Sequence, residues 1–523
     1  MKKFLLSLAI VLLSANLFAT TYKIKQVNYD LSPSSWKFLG TTKEYAITSN
    51  VPVDTNKVFS SKEEFDQYYE DFKTRLKNTR AFDSIEVNFT SEKDSEVKDQ
   101  ELITISVQTV DSVHMLPVPY FKFNSNDGGV FKLKIKDTNF LGTMNTMNTD
   151  LNFGIDTVSG ENKYNLGFNF SYDMPFKAEI FDTTWVNDYT LSYTIGNDIP
   201  EWNAKTGLKF VLPTEKLNYT FEIYQSVINN LDYKVYDDAL YFNNDFKFSV
   251  PIKVAQIGNL CAITYSPYID FSLNWDFNEI SKDNTDLSSP TLSFGHSLSG
   301  GRVNWKNNMR QGMNANITNV FAYNFQREIL YPSLTTEVTA FTYIPLLEDK
   351  SFLNQIGFCA DFYSYFLFVD FSNPYFKNDG VNIGSRMRGI LDNQPFMTSE
   401  FAGSKSTQTP AALVWNFDMP IQIFSTDFEG KIFKYFNFDL QIAPFVDIAL
   451  TYNKATKEWF NPKDGFYAAG IEVLVYPRKW SSFTVRGSLG FDIGRKFLAD
   501  YLNMDWRKNS SKKEISIGVG LHY

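Results

Sequence analysis

The 523-residue chain is poor in the residues from which most active sites and staples are built. It has two cysteines, Cys261 and Cys359, so a small disulfide-stapled fold is excluded. Two thiols so far apart either pair in an oxidising compartment or stay free, and sequence leaves both open. The three histidines, His114, His296 and His522, are widely spaced and have no carboxylate or cysteine at ligand spacing, so no metal site is expected. A nucleophile elbow, a phosphate loop and paired catalytic carboxylates are also lacking, so neither enzymatic chemistry nor a cofactor is expected. Positive charge is in deficit: 50 Lys and Arg against 59 Asp and Glu give a formal net charge of -9. With no basic run and no basic groove interleaved with aromatics, a nucleic-acid partner is excluded. Beyond residue 19, no apolar run approaches the roughly 20 residues of a spanning helix. If the mature chain crosses a bilayer, it does so as strands.

What is abundant is aromatic: Tyr, Phe and Trp make up 17% of the chain, although its mean hydropathy is mildly negative. That balance fits a transmembrane barrel, in which half of each strand faces lipid and half faces water. Residues 1–19 read as a secretory signal, with Lys2 and Lys3, an apolar core from Phe4 to Leu13, and small residues at Ser14, Ala15 and Ala19. Ala19 is the favoured cleavage site and Ala15 the alternative.

Residues 20–112 alternate between periods. A strand from Tyr22 to Tyr29 precedes the turn Gly40-Thr41-Thr42 and a short helix over Lys43 to Ser49. A stronger helix opens at Ser60 and Ser61, with Glu63 and Glu64 at capping-box spacing and Phe65, Tyr68, Tyr69, Phe72 and Leu76 on one face. Two period-two strands follow, Ile85, Val87 and Phe89, then Ile103, Ile105 and Val107. The result is a small α+β domain.

From about Val113 to Tyr523, alternating segments replace helical ones. Phe131, Leu133 and Ile135 interleave with Lys132, Lys134 and Lys136; Leu413, Trp415, Phe417, Met419 and Ile421 interleave with Asn416, Asp418 and Gln422. About 400 residues of this fit about sixteen tilted antiparallel strands. Gly207 to Ile223 reads as one broken strand or two around Pro213, and sixteen is preferred to seventeen because such barrels are even. The soluble alternative, a sandwich or solenoid, would need internal repeats or a shorter strand count. The last strand puts Ile515, Ile517, Val519, Leu521 and Tyr523 on one face and ends on an aromatic residue. A half-apolar strand at a chain end needs a sheet waiting for it, and a closed barrel leaves no edge. Its expected neighbour is the strand of Phe131, Leu133 and Ile135.

Several of these stretches resemble the BamA and TamA superfamily of outer-membrane assembly factors. The element order of residues 20–112, with Gly40-Thr41-Thr42 and Ala81-Phe82 entering a strand, resembles a POTRA domain. Asn139-Phe140-Leu141-Gly142 is similar to the family's first hairpin, and Arg386-Met387-Arg388-Gly389-Ile390 is similar to the Arg-Gly motif of a long loop that folds back into the barrel. Phe445-Val446-Asp447-Ile448-Ala449 is similar to the signature of the thirteenth strand, with Ala449 in place of Gly. Ile390 replaces the usual aromatic. The resemblance runs from the N-terminal module to Tyr523, with the middle strands matched by pattern alone.

Physical reasoning pairs two of these sites. Alternation along Phe438 to Leu450 points Asp447 into the lumen, where a carboxylate wants a cation, and an inward-folded loop offers Arg388 bidentately. The resemblance implies a second carboxylate four residues before a proline. Counted back from Pro420 that position is Asn416, although Asp418 shares its inward face. Glu472 and Arg486 also fall on inward faces, at a density ordinary for a lumen.

The resemblance implies an outer-membrane insertion or translocation factor with its N-terminal domain in the periplasm. The first and last strands would part and a client strand would add to the exposed edge. Its partners would be the outer-membrane lipid bilayer, unfolded outer-membrane client proteins and, as an open alternative, periplasmic or lipoprotein accessory subunits. A single N-terminal module leaves room for an accessory paralogue. Tyr523 fits an aromatic-ended assembly signal. The alternative is a passive channel or surface structural protein of the same architecture, favoured by the departures at Ile390, Ala449 and Asn416.

Overall fold

The structure is a computed structural model that describes residues 20–124, 128–158, 161–214, 217–230, 240–258, 261–278, 280, 287–346, 355–370, 380–389, 408–430, 436–453, 457–480, 483–494 and 513–519. The expected signal segment, Ile390, Leu521 and Tyr523 lie outside the described residues. Two compact units divide the chain. One contains Met1–Met115, Thr138–Asn145 and Lys479–Ser482; the other contains Leu116–Asp137, Thr146–Arg478 and Phe483–Tyr523.

In the first unit the elements run β1 (Thr21–Ser32), α1 (Glu44–Asn50), β2 (Val58–Phe59), α2 (Lys62–Asn78), β3 (Phe82–Lys93) and β4 (Gln100–Asp111). The sheet order is β2-β1-β4-β3, with β1 and β4 parallel and the other pairs antiparallel. Helix α2 starts where it does because the Ser61 hydroxyl accepts the Glu64 N–H at 3.2 Å, while the Glu64 carboxylate accepts the Ser60 N–H at 2.9 Å. Its buried face, Phe65, Tyr69, Phe72 and Leu76, meets Ile24, Ile47, Ile103, Ile105 and Val107. Each such side chain contributes about 1.5–3 kcal/mol on leaving water.

The turn Thr138–Asn145 is built into this unit by polar contacts. Thr42 donates its N–H and its hydroxyl to the two Asp111 carboxylate oxygens, both at 2.7 Å. Asn139 Nδ2 donates to Thr42 Oγ1 at 2.6 Å, and its Oδ1 accepts the Met144 N–H at 2.7 Å. Lys43 N–H donates to the Gly142 carbonyl at 2.9 Å, and Met144 packs on the apolar core. Gly142 has φ +74°, and a Cβ there would lie 2.2 Å from the Thr41 carbonyl oxygen, so only glycine fits. Burial pushes the Asp111 pKa up, against the pull of the Thr42 hydrogen bonds and the His114 charge.

The second unit closes as a barrel of twenty-one strand elements. Leu240–Ser249 and Ile252–Ile257 both pair with Cys261–Trp275 and are halves of one stave, interrupted at Val250-Pro251. Ala411–Asp418 and Ile421–Ser425 are likewise halves of one stave, broken at Met419-Pro420. Glu458–Trp459 only extends the end of Phe438–Asn453. The described residues therefore form eighteen staves, which corrects the expected sixteen. Pro213 ends one stave, Glu201–Pro213, and Asn218–Asn229 is the next, so the ambiguous stretch is two staves. Met115–Asn124 is also a stave, although Pro117 and Pro119 erase the usual strand signature.

That stave changes the neighbour expected for the chain end. Lys513–Val519 pairs with Met115–Asn124 through Ile515↔Phe123, Ser516↔Lys122 and Ile517↔Phe121. Phe131, Leu133 and Ile135 lie on the second stave, Gly128–Asp137, and pair with Phe153, Leu151 and Thr149. These three rungs contrast with seven on the other side of Lys513–Val519, from Val485↔Val519 to Phe491↔Lys513. Continued by two residues, the short ladder would set Pro119 against Val519, and proline has no N–H to give.

Alternation sets the outer surface. Phe153, Leu166, Leu191, Ile223, Ile269, Phe294, Phe321, Phe417, Val446, Ile471, Phe491 and Ile517 are exposed around the circumference. Such a band is what a bilayer covers in a transmembrane barrel. Among the described residues no helix is long and apolar enough to cross a membrane. Cys261 and Cys359 are both free, the first half-buried and the second buried.

Candidate functional site

The densest buried charge lies on the inner barrel wall. Because antiparallel partners share a face, register lays side chains out in rows across the staves. One row runs Asp418, Phe445, Gly470, Gly490 and Glu514. The next holds Asn416, Asp447, Ala468 and Asp492, and the row on the other side includes Ala443, Glu472, Ser488 and Ser516. The two glycines of the first row leave a shallow floor.

The segment from Val381 to Gly389 lies on this floor. Ile383 and Met387 are buried against Tyr363, Ala412, Val414, Ala449, Phe466 and Ala468. Small residues on the wall make room for the two larger ones, and Ala449 is fully buried among them. Seated this way, Arg388 is 6% exposed and reaches three carboxylates. Its Nε and backbone N–H both donate to Asp447 Oδ2 at 2.9 Å, and its Nη2 donates to Asp447 Oδ1 at 2.5 Å. Its Nη1 bonds Asp418 and lies 3.6 Å from Glu472 Oε2. Arg486 Nη1 stands 3.7 Å from the other Glu472 oxygen. The Phe445 ring lies 3.9 Å from the guanidinium carbon, a cation–π contact strengthened by desolvation. Gly470 permits that ring, since a Cβ there would lie 2.6 Å from Phe445 Cζ.

Arginine suits this position because its planar fork matches the Asp447 carboxylate and keeps one nitrogen for Asp418. Asn416 does not take the second acidic place; its Nδ2 donates to the Arg386 carbonyl at 2.8 Å. Asp418, two residues along the same face, makes the contact instead. Arg386 itself turns outward from the cluster, to Glu337 at 2.5 Å and over the Tyr363 ring at 3.6 Å.

One participant lay outside the sequence reading. Glu514 Oε2 accepts the Gly389 N–H at 3.0 Å, so the loop tip is tied to the terminal stave. Gly389 has φ +79°, and a Cβ there would meet Phe491 N at 2.7 Å. Glu514 is readable only from its parity with Ser516 and Gly518, opposite the apolar Ile515 and Ile517. Among the described residues, no group of His, Cys, Asp or Glu is arranged to hold a metal ion. The cluster binds a loop: it is a charged socket whose plug is part of the same chain.

No family model matches the chain, and no curated protein matches it in sequence. Solved structures do. CdiB from Acinetobacter baumannii is similar at TM-score 0.47 and 10% identity, over 95% of this chain and 74% of that one. CdiB from Escherichia coli is similar at TM-score 0.43 and 7% identity, over 95% and 76%. BamA from Haemophilus ducreyi lacking POTRA domains 1–3 is similar at TM-score 0.38 and 11% identity, over 95% and 84%.

Proposed function

We propose that this chain is an outer-membrane assembly or translocation factor that works through the seam between its first and last staves, with the N-terminal unit as a periplasmic POTRA domain. The observation that carries this reading is the seam itself: three rungs join Met115–Asn124 to Lys513–Val519, where the neighbouring ladder has seven. Backbone pairing is what holds a barrel closed, so among the described residues a ladder of three rungs parts at less cost than the neighbouring ladder of seven. An opened Lys513–Val519 edge presents unpaired N–H and C=O groups to which an unfolded client strand adds. The lock around Arg388 supports the same reading, because it keeps the remaining wall rigid while Gly389 touches the terminal stave.

The test is a disulfide between cysteines replacing Lys122 and Ser516, residues directly paired across the seam. Under oxidation the locked protein is expected to stop supporting outer-membrane protein assembly, and reduction is expected to restore it. Unchanged levels of every other outer-membrane protein in locked and depleted cells would end this reading.

A second reading, a passive pore, has one observation in its favour. The lumen wall of the early staves carries Lys209, Glu222, Lys247 and Asp270 at successive register positions facing one another, a lining suited to water. Steady conductance in planar bilayers that is indifferent to the seam disulfide would favour it.

A further inference from the structure

One hairpin of the barrel unit leaves the wall it belongs to. Staves Thr291–Lys306 and Met309–Asn324 pair with each other as far as Lys306↔Met309. The first, however, stops pairing with Cys261–Trp275 at Gly300, and the second is paired with Ile329–Pro345 only from Gly312 onward. Ile329–Pro345 itself runs on through Thr342 to Pro345, tied there to Gln355–Leu367. The departure falls at two glycines, Gly301 at φ +143° and Gly312 at φ +129°. An added Cβ would lie 2.2 Å from the Met313 carbonyl oxygen at the first and 2.0 Å from the Arg302 carbonyl oxygen at the second. No side chain fits at either, so the sequence places a bend in both strands at once.

The bend turns the hairpin end inward. Met313 shares the outer face with Ile317 and Phe321 and is 52% exposed, whereas Met309, in the same alternation, is 1% exposed. A Cβ on Gly357 would lie 3.1 Å from Met309 Sδ, and Gly357 is on the inner face of its stave with Cys359, whose register partner is Asp418. The face that looks outward before the bend therefore rests on the inner wall after it. Trp305 packs on Ala443, Leu474 and Tyr476. Asn308 Nδ2 donates to Asp439 Oδ2 at 2.7 Å, and Gln441 Nε2 donates to the Asn308 carbonyl at 3.1 Å. Asp439, Gln441 and Ala443 share the inner face of the stave that carries Asp447. The Arg310 guanidinium carbon lies 4.0 Å from the Phe341 ring centroid, and its Nη2 is 3.7 Å from Cys359 Sγ. Side chains, in place of ladder rungs, hold the hairpin end to the wall it lies on.

We infer that residues 302–311 form a hinged flap, swung into the lumen about Gly301 and Gly312, that narrows the passage through the barrel and lifts to widen it. This rests on the reading of the barrel as transmembrane. The turn follows Thr291–Lys306, and the loop of Arg388 follows Gln355–Leu367, three staves later. In an antiparallel barrel those exits are at opposite ends, so loop and flap enter from opposite sides and settle on the same stretch of wall. A bend at two glycines and a seat made of side chains let the flap move as one piece while the staves stay paired.

Cys359 is a native reporter, since it is 6% exposed and lies against Arg310 of the flap. The full-length Cys261→Ser protein is reacted with a negatively charged methanethiosulfonate, and its conductance is measured in planar bilayers. Trp305→Ala and Asn308→Ala, each removing one seat, are expected to speed labelling of Cys359 several-fold and to raise conductance. Met313→Ala, on the outer face, is expected to change neither. Labelling and conductance equal to the parent's in both variants would overturn the flap, as would faster labelling with no gain in conductance. Where Trp305→Ala loses the folded barrel band on semi-native gels, Asn308→Ala alone decides. Failure of the parent itself to insert into the bilayer would overturn the transmembrane reading, and the flap with it.

Discussion

Gly389 and Gly490 meet backbone to backbone: a Cβ on Gly490 would lie 2.6 Å from Gly389 Cα. One glycine is on the inserted loop and the other on the wall, so the loop reaches its seat only because neither carries a side chain. Gly490→Ala and Gly389→Ala are expected to unseat the loop tip. The second also forces an alanine to φ +79°, which costs on the order of 1–3 kcal/mol. Trypsin cleavage after Arg386 or Arg388 in the folded barrel should rise several-fold. Gly487→Ala, where nothing lies within 4 Å of an added Cβ, should leave it unchanged.

Arg388 and Asp447 should behave as one unit. Removing Arg388 leaves Asp418, Asp447 and Glu472 without its charge in a site that is almost fully closed, a loss of about 3–5 kcal/mol; removing Asp447 should cost less, because Asp418 and Glu472 remain beside Arg388. The measurement is the temperature at which the barrel band unfolds on semi-native gels. Arg388→Asp with Asp447→Arg should recover part of what each reversal loses, and strictly additive losses would refute the pairing.

Arg386 is the internal comparison. Its partner Glu337 has a side chain 42% exposed and its own is 32% exposed, so the ion pair contributes at most about 1 kcal/mol. Arg386→Ala should therefore lower the same unfolding temperature by much less than Arg388→Ala. Equal effects would mean that burial is not what separates the two arginines.

In the N-terminal unit, Asp111 sets a pH dependence. Burial raises its pKa in the folded state, so folding is opposed by the buried carboxylate above that pKa. As pH falls through the folded pKa toward the ordinary carboxylate value, the folded form takes up the proton first and this penalty is relieved. The Asp111-linked part of stability should thus grow on mild acidification. Asp111→Asn should remove that slope from denaturation curves of the full chain followed by probes in residues 20–112; an unchanged slope would assign it elsewhere.

Much of this was legible in the sequence because period two is a strong signal. Leu440, Ile442, Val446 and Ile448 alternating with Gln441 and Asp447 fixed which way Asp447 points, and the Ser61 to Glu64 spacing marked the start of α2. The failures share a cause, which is proline. Pro117 and Pro119 hid the first stave and so moved the seam to the wrong strand. Pro420 breaks a stave just after Asp418, so counting back from it named Asn416 where the contact belongs to Asp418. Glu472 and Arg486 were placed on the correct face, yet alternation gives a face and not a height, and their approach to Arg388 depends on register between staves. Glu514 was invisible for the same reason.

The wall beneath Arg388 is ill-matched to itself. Asp418, Asp447 and Glu472 come from three adjacent staves and share one guanidinium, with Arg486 beside Glu472. Take the loop away and those staves bring three carboxylates together with only Arg486 beside them. The order of assembly follows. The staves from Ala411 to Pro477 close at less cost when Arg388 arrives with them, like a keystone set while the arch is still on its centring.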